Sequence, residues 1–154
     1  MARRRMIART QYNHRTHTSG GTSIEFNVDL SRFEGQYERA QYALDSMVMA
    51  SMKPYMPQNT GTFINITSAQ SAALAGTGKV VAAAAPMGRY LYEGKVMVDE
   101  QTGSPWARPG ARKVVTDKDL QYSNPKATPH WFDTAKQKHG KSWIKAVKKI
   151  AGGG

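Results

Sequence analysis

The chain of 154 residues reads as an α+β protein, with a long helix in its N-terminal half and a second helix at the C-terminus packed on a small, mainly antiparallel sheet. A flexible basic arm precedes them. Three patterns carry this reading: strict alternation over residues 22–30, apolar residues at steps of three and four over residues 33–51, and short β-branched runs set between glycines and prolines further on. One domain is expected over residues 22–151, with the arm at 1–21 and a frayed Gly tail at 152–154.

The elements follow in chain order. Residues 1–21 carry Arg3, Arg4, Arg5, Arg9 and Arg15, no acid and little apolar content, and end in Ser19-Gly20-Gly21, which predicts an arm rather than a packed element. Next, Ile24, Phe26, Val28 and Leu30 alternate with polar residues, as a half-buried strand requires. Ser31 and Glu34 form a capping box. Phe33, Tyr37, Ala40, Leu44, Met47, Val48 and Ser51 then share one helical face, so a helix is predicted over residues 32–53, about 33 Å long, stopped by Pro54 and Pro57.

Beyond it, residues 57–61 are turn chemistry, and residues 63–67 read as a short strand. The small-residue stretch 68–78 suits a hairpin whose return strand is residues 79–84. Pro86 begins a short helical turn carrying Tyr90, Leu91 and Tyr92, closed by Gly94. Residues 96–98 and 114–115 are strands flanking a loop that holds Trp106. Thr128 as N-cap and Pro129 as first residue open the last helix, whose face continues through Trp131, Ala135, Trp143, Val147 and Ile150; Gly140 is a point where it would kink or divide.

Composition narrows the function. With no Cys, thiolate metal sites, iron–sulfur clusters, disulfides and thiol catalysis are excluded. No apolar run reaches the ~20 residues that span a bilayer, and no signal-peptide pattern opens the chain, so no membrane partner and synthesis in a cytoplasm are expected. Val, Ile, Leu and Phe together fall below a fifth of the residues, which makes a thin core and predicts that neighbouring subunits complete the burial. The aromatic residues Trp106, Tyr122 and Trp131 in turn-rich stretches fit a surface finished in this way. Formal charge is +11, yet residues 16–133 are neutral. The excess lies in the arginines of the arm and in Lys136, Lys138, Lys141, Lys145, Lys148 and Lys149, so both ends are placed for contact with a polyanion or an acidic neighbour.

Catalytic patterns are missing. No Gly-x-Ser-x-Gly elbow, phosphate-binding glycine loop or His-Glu-x-x-His helix occurs, and neither a cofactor nor enzymatic activity is expected. His14 and His17 offer only two ligands from the arm, too few for a metal site. His130 and His139 are expected to pack or cap. Asp99 and Glu100 near Trp106 have the composition of a sugar site but read as exposed turn acids. The amphipathic last helix presents Lys141, Lys145, Lys148 and Lys149 opposite Trp143, Val147 and Ile150, a cationic face suited to sequence-independent phosphate contact.

Three stretches carry a resemblance. The first is Pro57-Gln58-Asn59-Thr60-Gly61 after the long helix. The second is Ala85-Pro86-Met87-Gly88-Arg89-Tyr90-Leu91-Tyr92-Glu93-Gly94. The third is Asn124-Pro125-Lys126-Ala127-Thr128-Pro129-His130-Trp131-Phe132 with the later His139 and Trp143. In this order the chain resembles the minor capsid, or neck, proteins of long-tailed bacteriophages over residues 32–150. Their motifs are roughly Pro-x-x-Thr-Gly, Pro-Tyr-Ala-x-x-Leu-Tyr-x-Gly and Asn-Pro-x-Ala-x-Pro-x-Trp-Phe; Met87-Gly88 departs from the second.

The resemblance implies a non-enzymatic virion protein at the head–tail junction, a ring around the DNA passage that joins or completes the tail. Its partners would be further copies of itself (six favoured over twelve by analogy), other neck proteins, the portal side, the tail terminator and, non-specifically, DNA. The alternative is a small basic nucleic-acid-binding protein, ribosome-associated or similar, which predicts aromatic residues interleaved with cations on one surface.

Overall fold

The computed structural model describes residues 15–19, 22–26 and 31–152, with side chains from residue 33 onward. Arg3, Arg4, Arg5, Arg9 and the paired His14 and His17 side chains lie outside that description, as do residues 27–30 of the expected first strand. The fold is α+β.

Strands β1 (Arg15–Ser19) and β2 (Thr22–Phe26) pair antiparallel, Arg15 opposite Phe26 and Ser19 opposite Thr22. The last part of the segment expected to be an arm is therefore a strand. Its β-branched Thr16 and Thr18 favour the extended backbone, and the Gly20-Gly21 pair that suggested an arm separates the two strands.

Helix α1 (Ser31–Met52) begins and ends within one residue of its predicted bounds, and a 3₁₀ turn at Lys53–Tyr55 carries Pro54 past its end. The apolar face is covered from Ala40 onward. Phe33 and Tyr37, expected on it, are 50% and 38% exposed. The reason is the partner helix: α4 (Trp131–Ile150) runs antiparallel to α1, with the Trp143 indole on Ser51 and Gly152 against the Gln36 side chain, and so ends before Phe33 is reached.

The largest departure is α2 (Thr62–Leu74), a helix where a strand and hairpin were expected. A short, largely apolar run such as 63–67 does not distinguish a strand from a helix. Here Ile64, Thr67 and Ser71, at steps of three and four, all turn inward, while Ala69, Ala72 and Ala73 favour helix on the outside. Residues 79–84 consequently have no strand to pair with. Two α2 side chains take that place: the Ser71 hydroxyl donates to the Val81 carbonyl (2.9 Å) and accepts from its N–H (3.0 Å), and Thr67 Oγ1 accepts from the Ala84 N–H (3.3 Å).

Helix α3 (Gly88–Glu93) closes at Gly94, in the left-handed region, as expected. The second hairpin is β3 (Lys95–Asp99) with β4 (Lys113–Asp119), Val98 opposite Val114. Helix α4 is unbroken through Gly140. Its N-cap is His130 at φ 49°, not Thr128, and Pro129 precedes the helix. The preceding residues are committed elsewhere: the Thr128 N–H donates to the Tyr55 carbonyl (3.1 Å), and the His130 N–H to that of Tyr92 (2.9 Å). The core between α1, α2 and α4 consists of Val48, Met49, Met52, Met56, Ile64, Trp131, Ala135 and Trp143. Methionine and tryptophan thus fill the volume that the scarce Leu, Ile and Phe do not.

Candidate functional site

The second and third of the stretches that carry the family resemblance meet at Trp131, whose side chain is wholly buried. Its indole N–H donates to the Ala82 carbonyl (2.8 Å), Tyr92 meets its ring edge-on at 4.8 Å between centroids, and Phe63 does so at 5.8 Å. From the third stretch, Asn124 Nδ2 donates to the carbonyls of Pro54 and Met56, both at 3.0 Å, while its Oδ1 accepts from the Lys126 N–H. One side chain thereby ties the stretch to the turn after α1, where Pro57 is buried. Thr60 and Gly61 open α2: the Thr60 hydroxyl donates to that of Thr62 (3.1 Å), and the Gly61 carbonyl accepts from Asn65 (3.0 Å).

The second stretch is locked to the third at Gly94, which is buried and packs under Pro129 and the Tyr122 hydroxyl; that hydroxyl donates to the Leu91 carbonyl at 2.6 Å. Burial pushes the Tyr122 phenol above its ordinary pKa. It does the same to Tyr92, with the charges of Asp133 and Glu93 adding to the effect. Pro86 and Pro125 are exposed, Tyr90 is half-buried, and Ala127 and Phe132 are half-buried, Phe132 against the core. Trp143 completes the face, its indole donating to Ser51 Oγ (3.1 Å). Of the aromatics expected at the surface, Trp131 is interior and Tyr122 half-buried; Trp106 alone stands out, 87% exposed.

His130 and His139 pack against aromatic neighbours. His130 lies edge-on to Tyr92 (4.9 Å) with Nε2 3.6 Å from Glu93, and His139, in mid-helix rather than at a C-terminus, sits 3.4 Å from the Tyr55 hydroxyl. On the outer side of α4, Lys136, Lys138, Lys141, Lys145, Lys148 and Lys149 are all exposed, with Asp133 the only acid on the helix. Among the described residues none of the six makes an ion pair; Lys138 Nζ stands 4.6 Å over the Tyr55 ring.

Sequence reasoning missed one cluster. Asp99, read as an exposed turn acid, is 1% exposed. Its Oδ1 accepts from the Gln101 and Thr102 amides and its Oδ2 from the Arg108 amide and Nε (3.0 Å). These bonds, with the Arg108 guanidinium foremost and the Gln101 amide next, hold the carboxyl well below the usual carboxylate range, and the ion pair raises Arg108 in turn. The signal in the sequence is Asp99 two residues before Gln101-Thr102-Gly103, an Asx-turn pattern. A carboxylate so fully committed to structure has no lone pair free for acid–base work on a sugar.

Among the described residues no three His, Cys, Asp or Glu side chains gather as a metal site requires, and no helix is long and apolar enough to cross a membrane. No family model, curated protein or solved structure matches the chain.

Proposed function

We propose that this protein is a structural subunit of the neck of a tailed phage, one of a ring of copies that joins or completes the tail around the DNA passage in the virion. The observation that carries the reading is the convergence on Trp131. Two stretches that resemble the neck family, far apart in the chain, meet there through Tyr92 and Gly94, and Asn124 ties them to the turn that leads into the first stretch. Residues committed to packing in this way fit a building block better than a catalyst. The lysine face of α4 is compatible with DNA or an acidic neighbour along the passage.

The alternative, a cellular nucleic-acid-binding protein, draws on the same lysines. It is the weaker reading because Trp131 and Trp143 are committed to the core, leaving α4 without an aromatic platform on which bases could stack. A nonsense mutation in the gene, within the phage that carries it, tests the proposal. Filled heads and separate tails by electron microscopy, rejoined on complementation, are expected; normal virions assembled without the protein would overturn it.

A further inference from the structure

Two clusters of cations on this molecule differ in kind. Those on α4 are all lysines, with no exposed aromatic residue among them. Those at the β3–β4 hairpin are Arg89, Arg112 and Lys113, and they stand around a concavity of about 540 Å³ whose lining includes Tyr90, Met97 and Val115, the last 57% exposed. Glu100 is the one acid on its wall, so three positive charges face one negative, and among the described residues none of the four makes an ion pair. Lys113 is held in place, its Nζ donating to the Pro105 carbonyl (2.7 Å) and standing 5.6 Å from the centre of the Tyr90 ring.

Through Pro105 this rim adjoins Trp106, 87% exposed. The loop is pinned on both sides of the indole. The Trp106 N–H donates to Ser104 Oγ (3.1 Å), the Ser104 carbonyl accepts from the Asp99 N–H (2.8 Å), and buried Asp99 accepts from the Arg108 amide and guanidinium. An indole ordered before a partner arrives loses little freedom on docking, as a binding anchor requires.

The residue types decide between occupants. Protein interfaces are enriched in Trp, Tyr, Met and Arg and depleted in Lys, and Trp, Tyr and Arg supply most of their binding energy. The hairpin patch holds each of the enriched types, whereas the α4 row is lysine alone. Single-stranded nucleic acid calls for successive aromatic faces along a cationic track. Here one indole is exposed, and a hydrated phosphate backbone would be poor cover for Met97 and Val115. A second copy is not the complement, because Glu34 and Glu38 are offset by Arg32 and Arg39, and Asp117 and Asp119 by Lys118 and Lys95. We propose that the concavity receives a short segment of a different protein in which acidic and apolar side chains are mixed. Its carboxylates meet Arg89, Arg112 and Lys113, each guanidinium able to take one with two parallel N–H bonds, while an apolar side chain covers Met97 and Val115 and Trp106 packs on its flank. The site does not depend on the ring-subunit reading.

The test takes the full chain and a displayed library of short random peptides, selected on the wild type after passage over Trp106→Ala/Arg112→Ala. Both positions are exposed, and circular dichroism confirms that the variant folds. Selected peptides should be rich in Asp or Glu with apolar residues between them. Once synthesised, they should bind the wild type at least about tenfold more tightly than the variant. They should also shield Trp106 from a soluble quencher, a readout particular to that indole because Trp131 and Trp143 are buried. Failure to select any peptide, selection without acidic bias, or equal binding to both proteins would overturn the proposal. A short oligothymidylate that shields Trp106 and displaces the peptides would overturn it in favour of nucleic acid, and wild-type self-association that the variant loses would do so in favour of a second copy.

Discussion

Gly94 and Gly61 both have positive φ, 68° and 75°, yet their surroundings are opposite. A Cβ at Gly94 would come within 2.7 Å of Pro129 Cβ and 3.0 Å of the Tyr122 hydroxyl, whereas a Cβ at Gly61 would meet nothing within 4 Å. Gly61→Ala should therefore cost only the left-handed backbone, about 1 kcal/mol, and Gly94→Ala that plus overpacking at the junction, about 2–4 kcal/mol in all. Thermal or urea unfolding of the two variants checks the ordering, and equal losses would mean that Pro129 and Tyr122 yield freely. Gly94 was legible in the sequence as a residue that closes a helix. Its second duty, letting two distant stretches touch, was not, because that depends on a residue 35 positions away.

At the scale of elements, legibility followed the length of the pattern. The 22 residues of α1 and 20 of α4 repeat their apolar spacing often enough to be placed from sequence. Helix α2 was misread because its inward face is Ile64, Thr67 and Ser71, two of them hydroxyl residues that earn burial by bonding the backbone of residues 81–84. Hydropathy does not register such a face. The hairpin loop was placed correctly, but its clamp was not foreseen, since the burial of Asp99 depends on Arg108 folding back over it. A consequence follows for pH. The folded Asp99 carboxyl lies below its unfolded value of about 3.9, so its stabilisation is present above that pH and fades as pH falls toward the lower folded value. The loop should thus stay ordered on acidification to pH 4 and loosen below it. Asp99→Asn keeps one acceptor oxygen for Gln101 and Thr102 but loses the charge that holds Arg108. Amide exchange at Arg108 should rise about tenfold or more at neutral pH, with α1 and α4 unaffected; unchanged exchange there would show that the backbone alone fixes the loop.

Over the whole molecule, charge separates from burial. The inward faces of α1 from Ala40 onward and of α4 go into a core rich in Met and Trp, and six lysines stand exposed on α4 of a chain whose residues 16–133 carry no net charge. A solvated face and a phosphate-binding face differ in salt dependence. Lysines that touch phosphates release counterions, about 0.9 per contact on duplex DNA, so four contacts contribute roughly 3.6 to the slope of log affinity against log salt. Replacing Lys141, Lys145, Lys148 and Lys149 with Gln leaves the buried side of α4 as it is, Trp131, Ala135 and Trp143 included. If those lysines line the DNA passage, the slope measured with a short duplex should flatten by up to that amount while the melting temperature and the multimer stay the same. A slope that does not change assigns DNA contact elsewhere in the chain. A lost multimer with an unchanged slope makes the face a seat for an acidic neighbour instead. Either result would follow from which surface meets the lysines, since the helix itself presents the same cations to both.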